Sequence, residues 1–161
     1  MKQFKGRVIV PLESETGEAR KDGGGRTELR VEALVSRQGF NTLASFQKAL
    51  MFGDKTAACS DQNNPDLYGK PMAGKALCMP QTIGSTTGGM VLFCAAALES
   101  QPACLLFSKP IDSLAAAGAI LAGVWTSHPM PTIDSLGEDF LAAVRSGARL
   151  IVAKDGTVTV E

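Results

Sequence analysis

The sequence predicts a mixed α/β fold of the β/β/α kind rather than a doubly wound sheet. Three observations carry that expectation: strand-like segments near the start, strand–helix units through the middle, and a hairpin signal at the end. The 161 residues suffice for one domain with a real core, taken as 1–161. A chain of about 150 residues buries roughly 70% of the surface it exposes when unfolded. No internal repeat or long linker divides it. Apolar residues at 45% and charged residues at 20% are ordinary for a globular protein.

Arg7-Val8-Ile9-Val10-Pro11 reads as the first strand. Residues 13–27, polar and containing Gly23-Gly24-Gly25, fit a mobile surface loop. Strand character returns over 29–36, where Leu29, Val31, Ala33 and Val35 alternate against Arg30, Glu32 and Leu34. A short helix over 40–50 follows the turn at Gly39, with Asn41 or Thr42 near its cap. The next segment, Ser60-Asp61-Gln62-Asn63-Asn64-Pro65-Asp66, is dense in turn formers. Residues 75–79 form a strand that ends at Pro80, and 81–89 lead into an apolar helical run over 90–98. A buried strand over 103–107 precedes an alanine-rich helix over 113–121, capped by Asp112 or Ser113. Another short helix covers 140–144. Leu150-Ile151-Val152 and Val158-Thr159-Val160 flank Asp155-Gly156, a strong hairpin signal.

Sixteen basic and sixteen acidic residues cancel, so no broad attraction for nucleic acid or an anionic membrane is expected. The longest apolar run contains Gly118 and Gly123, has polar flanks and is too short to span a bilayer. Met1-Lys2-Gln3-Phe4-Lys5 lacks the apolar core of a signal peptide, and a cytoplasmic location is the expectation. Cys59, Cys78, Cys94 and Cys104 include no Cys-x-x-Cys pair, which argues against a local metal or cluster site. In a reducing compartment they read as buried small hydrophobes.

The most informative segment is Gly84-Ser85-Thr86-Thr87-Gly88-Gly89, between an apolar strand and an apolar helix. Glycines permit a tight turn and a close approach of ligand to backbone. The helix start presents N–H groups without intrahelical partners and a partial positive charge, which suits carboxylates, phosphates or a deprotonated hydroxyl. The plain alternative is that Ser85 or Thr86 only caps the helix. The segment is not a P-loop, because it lacks the Gly-Lys-Ser/Thr ending. No histidine adjoins it as a base.

Four segments occur in a telling order: Asp61-Gln62-Asn63-Asn64-Pro65-Asp66-Leu67-Tyr68-Gly69, Ala73-Gly74-Lys75, Gly84-Ser85-Thr86-Thr87-Gly88, and Ala115-Ala116-Ala117-Gly118-Ala119-Ile120-Leu121-Ala122-Gly123. From about Arg7 through Pro131 the chain resembles the small subunit of the aconitase X family, although its 13–27 loop is longer than expected there. The resemblance implies an aconitase small-domain-like β/β/α domain that swivels over a larger subunit. That large aconitase X subunit is expected to carry the cysteine ligands of an iron–sulfur centre and most of the substrate pocket. This chain is expected to bind no metal or cofactor of its own and to be active only with its partner.

The family's serine maps onto Ser85 as proton acceptor. Dehydration of a 3-hydroxy acid removes a carbon-bound proton beside a carboxylate and expels hydroxide from the neighbouring carbon, with iron as Lewis acid toward substrate oxygens. A serine hydroxyl is a very poor base, so its alkoxide needs helix N–H groups and cations around it. Lys75 suggests itself as such a cation by sequence proximity. Two substrates compete within the family: mevalonate 5-phosphate and cis-3-hydroxy-L-proline. The wording of Arg37-Gln38-Gly39-Phe40-Asn41-Thr42 and of 60–65 resembles the hydroxyproline type, whose product is 1-pyrroline-2-carboxylate after tautomerisation.

The resemblance also makes Arg37, Asp61, Asn63, Asn64, Gly84, Thr86 and Thr87 candidates for a cleft that orders when the subunits close. For Arg37 and the Asp/Asn cluster, turn and surface roles are the plain alternative. Lys109 could meet a substrate carboxylate, though turn and cap roles suffice for that segment. His128, in Thr126-Ser127-His128-Pro129, is the only histidine and raises a second class, a phosphohistidine carrier. Pro129 and Pro131 forbid the regular helix that should follow such a histidine. A third class, a structural partner with no catalytic residue, requires Ser85 to be only a cap.

Overall fold

β1 (Lys2–Lys5) and β2 (Arg7–Val10) are separated by one residue, yet they stand at opposite edges of an eight-stranded sheet. The computed structural model describes residues 1–12 and 27–161; the loop expected near 13–27 lies outside them except for Thr27. The other elements are β3 (Glu28–Val35), β4 (Phe40–Asn41), α1 (Thr42–Phe52), β5 (Ala76–Met79), β6 (Thr82–Ile83), α2 (Gly88–Ala97), β7 (Cys104–Phe107), α3 (Ser113–Trp125), β8 (Thr132–Asp134), α4 (Glu138–Ala143), β9 (Arg149–Ala153) and β10 (Thr157–Val160). Strand order is β1-β10-β9-β3-β5-β7-β8-β2. Pairing is parallel from β3 to β8 and antiparallel elsewhere in the sheet.

Gly6 is what lets one short segment serve both edges. Its amide donates to the Gly156 carbonyl (3.0 Å), and a Cβ there would lie 2.5 Å from the Asp134 carbonyl. The sheet therefore curls until its edges nearly meet, which protects strand edges that would otherwise template aggregation. The hairpin expected at Asp155-Gly156 forms as β9–β10, with Gly156 at φ 88°.

Period-two alternation sorts the central strands. Leu77 and Met79 of β5 and Leu105 and Phe107 of β7 pack under α1, α2 and α3. Ala76 and Cys78, with Cys104 and Leu106, face the inside of the curl, where Phe140 and Leu141 of α4 close it. Phe4 meets Phe140 edge-on at 5.5 Å. Cys59, Cys78 and Cys104 are buried, as expected for small hydrophobes, and Cys94 is half-buried. Burial pushes the Cys104 thiol up to about 12.

α2 and α3 cross at glycine against glycine. A Cβ on Gly118 would sit 2.1 Å from the Gly89 carbonyl oxygen, and one on Gly89 would sit 2.2 Å from that of Leu114. Only residues without side chains allow this approach, which brings the starts of the two helices side by side.

Candidate functional site

The parallel strands β3, β5 and β7 end on the same side of the sheet, the side on which ligands meet open α/β folds. Above those ends β4 and β6 form a separate two-stranded parallel ladder, Phe40 against Thr82 and Asn41 against Ile83. The ladder places the start of α1 beside the turn that opens α2. Asn41 caps α1 by accepting the Ala44 amide (3.1 Å). Its carboxamide also lies where a Cβ on Gly84 would go, 2.9 Å away, and Gly84 has φ 98°. Crowding and positive φ both demand glycine at 84.

Ser85 follows, exposed. Its Oγ is 2.8 Å from Thr87 Oγ1 and accepts the Thr87 amide at 3.2 Å, while its carbonyl accepts the Gly88 amide at 3.1 Å. Thr87 is the N-cap residue of α2, but its side chain makes no capping bond. Asp112 supplies the third helix start: its Oδ1 accepts the Leu114 and Ala115 amides, both at 2.9 Å, and its Oδ2 accepts the Thr82 hydroxyl.

These parts enclose a shallow recess of about 230 Å³. Thr42 of α1, Gly88 of α2 and Leu114 and Ala115 of α3 form one side; Thr82, Ile83, Gly84 and Ser85 form the other, with Asp112 between. The starts of three helices thus line one recess together with Ser85, and each helix start attracts negative charge. Among the described residues, Asp112 is the only ionisable one in the lining. Burial alone would raise its carboxyl, but the bonds from Thr82 and the α3 amides hold it below the ordinary value. It is therefore an anion at neutral pH, and it opposes a second negative charge in the recess.

Of the turn residues, Gly84 and Ser85 line the recess, Thr87 reaches it only through its bonds to Ser85, and Thr86 is exposed outside the lining. Arg37, Asp61, Asn63 and Asn64 form a different cluster that does not line the recess. The Arg37 amide donates to Asp66 Oδ2 (2.7 Å) and its Nη2 to the Val144 carbonyl (2.6 Å). Asp61, buried, accepts the Asn63 amide (2.9 Å); the Asn63 carbonyl accepts from Gln38 Nε2 (2.8 Å). Asn64, fully buried, donates to Ser36 Oγ (2.9 Å). These bonds fasten the 60–66 loop to the end of β3.

Lys75 cannot serve Ser85 as a cation: it stands at the amino end of β5, opposite the Ser85 turn, paired with Glu32 at 2.9 Å. Lys109, exposed, is held through its amide to the Pro80 carbonyl (3.2 Å) and lies outside the recess lining. His128 sits beyond the far end of α3, with Nε2 3.4 Å from Glu99 Oε1. A 13-residue helix separates it from the recess, roughly 20 Å. Among the described residues no three His, Cys, Asp or Glu side chains stand together as metal ligands. The described residues do not fit an iron–sulfur centre. Among the same residues, no helix is long and apolar enough to cross a membrane.

The fold and this end of the sheet define a class: a nearly closed mixed sheet that presents a serine turn at convergent helix starts. The chain belongs to the aconitase X swivel domain family, whose sequence model matches residues 25–160. It is 33% identical over 100 residues to the phosphomevalonate dehydratase small subunit of Methanothermobacter thermautotrophicus, covering 62% of this chain and 70% of that one. Its identity to the protein of the same description from Thermococcus onnurineus is 28% over 139 residues, covering 83% and 98%. The crystal structure of Thermococcus kodakaraensis aconitase X in its holo-form shares the fold, with TM-score 0.73 and 22% identity over 100% of this chain and 99% of that one. The chain is thus of the small-subunit type of aconitase X dehydratases. The two sequence relatives are phosphomevalonate dehydratase small subunits, and neither is described as acting on hydroxyproline.

Proposed function

We propose that this chain completes a dehydratase acting on a phosphorylated 3-hydroxy acid of the phosphomevalonate kind, with Ser85 as proton acceptor. The observation that supports the role of Ser85 is the placing of its exposed hydroxyl where three helix starts converge. The C–H electron pair becomes the new double bond as hydroxide leaves the neighbouring carbon, and the proton passes to the serine oxygen. The iron–sulfur centre belongs in this reading to the large subunit. So does the cation that a Ser85 alkoxide needs, because the described residues of the recess lining offer none.

That same lack of Lys and Arg in the lining favours a second reading, cis-3-hydroxy-L-proline, which brings no phosphate to be neutralised. The test is dehydration of each compound by the chain co-expressed with its large subunit, wild type against Ser85→Ala, at equal assembly and iron content. Turnover of the phosphorylated acid and a loss of at least about a hundredfold in the mutant are expected, the usual size of acid–base contributions. Turnover of hydroxyproline alone selects the second reading. Full activity in the mutant reduces Ser85 to a capping residue.

A further inference from the structure

We infer that Asp112 and Thr82 act as a positioning pair for Ser85, an inference that rests on the proposed role of that serine. The Ser85 turn hangs from β6, which has two residues and only the two residues of β4 as ladder partner. Two backbone pairs cannot hold a reacting oxygen to the fraction of an ångström that proton transfer from carbon demands. The Thr82 hydroxyl supplies the missing anchor by donating to Asp112 Oδ2, three residues before Ser85.

Asp112 is itself rigidly held. Its other oxygen takes two amides of α3, so it cannot swing without uncapping that helix. The Ile111 amide next to it donates to Asp134 Oδ2 at 2.8 Å, and that buried carboxylate is gripped by Arg7 through Nε (3.0 Å) and Nη2 (2.6 Å). The Lys109 amide bonds to the carbonyl of Pro80, just before β6. Rigid contacts thus run from the closed edge of the sheet through Asp134, Ile111 and Asp112 to Thr82 and the serine turn. The negative charge of Asp112 works against a Ser85 alkoxide, so its contribution lies in these acceptor bonds and not in its charge.

Thr82→Val keeps shape and removes the donor; Thr82→Ser keeps the donor. In the assembled complex Thr82→Val is expected to lower kcat about tenfold with KM unchanged, a displacement of a fraction of an ångström where about 1 Å costs roughly a hundredfold. Thr82→Ser restores the rate. Asp112→Asn, which keeps a capping oxygen and a polar partner for Thr82, recovers most of what Asp112→Ala loses. Adding Thr82→Val to Asp112→Ala brings no further loss, because both remove one contact.

Hydrogen exchange in the same complexes reads the turn without reference to turnover. The Thr87 and Gly88 amides, both bonded to Ser85, should exchange at least about tenfold faster in Thr82→Val. Unchanged exchange and unchanged kcat in Thr82→Val overturn the inference. An Asp112→Asn loss equal to that of Asp112→Ala overturns it in favour of proton transfer by the carboxylate. Faster exchange together with a fully active Ser85→Ala sinks the serine reading and leaves the anchor standing.

Discussion

Alanine at position 118 should destabilise the fold, although helix propensity alone says the reverse. Glycine in a helix interior costs about 1 kcal/mol relative to alanine, so an open site would gain that much. At Gly118 the added Cβ would lie 2.1 Å from the Gly89 carbonyl oxygen and 2.6 Å from its carbonyl carbon and Cα. These are backbone atoms, which cannot rotate away as a side-chain tip can. Relief to an ordinary 3.4 Å contact requires the helices to part by about 1.3 Å, measured against the 2.1 Å approach. Parting them loosens Ala95, Ala96, Ala115, Ala119 and Ala122, all buried within the same core.

Overpacking of this kind costs about 1–3 kcal/mol, and here it falls at the upper end because both sides are backbone. Less the propensity gain, Gly118→Ala should lose about 2 kcal/mol, which is about 4–8 °C in Tm for a chain of this size. Gly123, in the same helix, is the control: the nearest atom to its Cβ would be Pro129 Cβ at 3.8 Å. Gly123→Ala should leave stability unchanged or raise it by up to about 1 kcal/mol. Urea denaturation of both variants with two-state fits supplies the numbers. A Gly118→Ala protein as stable as wild type, or two variants that behave alike, would refute the close crossing.

Acid should weaken the seam between β2 and β8. Burial alone would raise the Asp134 carboxyl, but bonds from Arg7 and the Ile111 amide hold it below its ordinary value. A depressed folded value means the contribution is complete above the unfolded value of about 4 and fades as pH falls through the folded one. Asp134→Ala should cost about 1–2 kcal/mol at pH 7, the size of lost bonds to a buried carboxylate since Arg7 stays exposed, and flatten the acid limb of stability against pH; an unchanged limb refutes that role. Thiol labelling probes the core separately. With Cys104 at about 12, roughly one molecule in ten thousand carries its thiolate at pH 8, and Cys78 is pushed up as well by burial. A disulfide reagent should reach Cys94 first in the folded chain and all four thiols after unfolding. Rapid labelling of Cys104 in the folded chain would contradict the packing of β7.

The strand–helix units were legible because their signals are local. Val31, Ala33 and Val35 point one way by alternation, Asn41 and Asp112 cap where caps were expected, and Asp155-Gly156 turns a hairpin. β1 was not legible, since Lys2 and Lys5 flank its one inward aromatic, Phe4, and its partner β10 lies at the other end of the chain. β8 escaped as well: three residues behind Pro129 and Pro131 carry no period, and its buried Asp134 looks like a turn residue until Arg7 is beside it. Ser85 was found through its glycines and the helix they open. Thr82 and Ile83 were missed because β6 is too short to show a pattern. The Asp/Asn loop and Arg37 were singled out for a cleft; several of their polar groups bond one another and the ends of β3 and α4, while the buried Asn64 Oδ1 has no partner among the described residues.

What the chain offers Ser85 is a nearly balanced field. Three helix starts carry about half a positive charge each, while Asp112 contributes one full negative charge among them. The sum favours an anion only slightly, and the serine is open to water, which screens what remains. Covering the recess changes both terms: water leaves, so the helix starts act through a lower dielectric, and any cation on the covering surface adds to them. Under the proposed role, Ser85 gains basicity only when a partner covers the recess. On that proposal, proton removal is tied to covering of the recess, because the described lining alone supplies Ser85 with no cation.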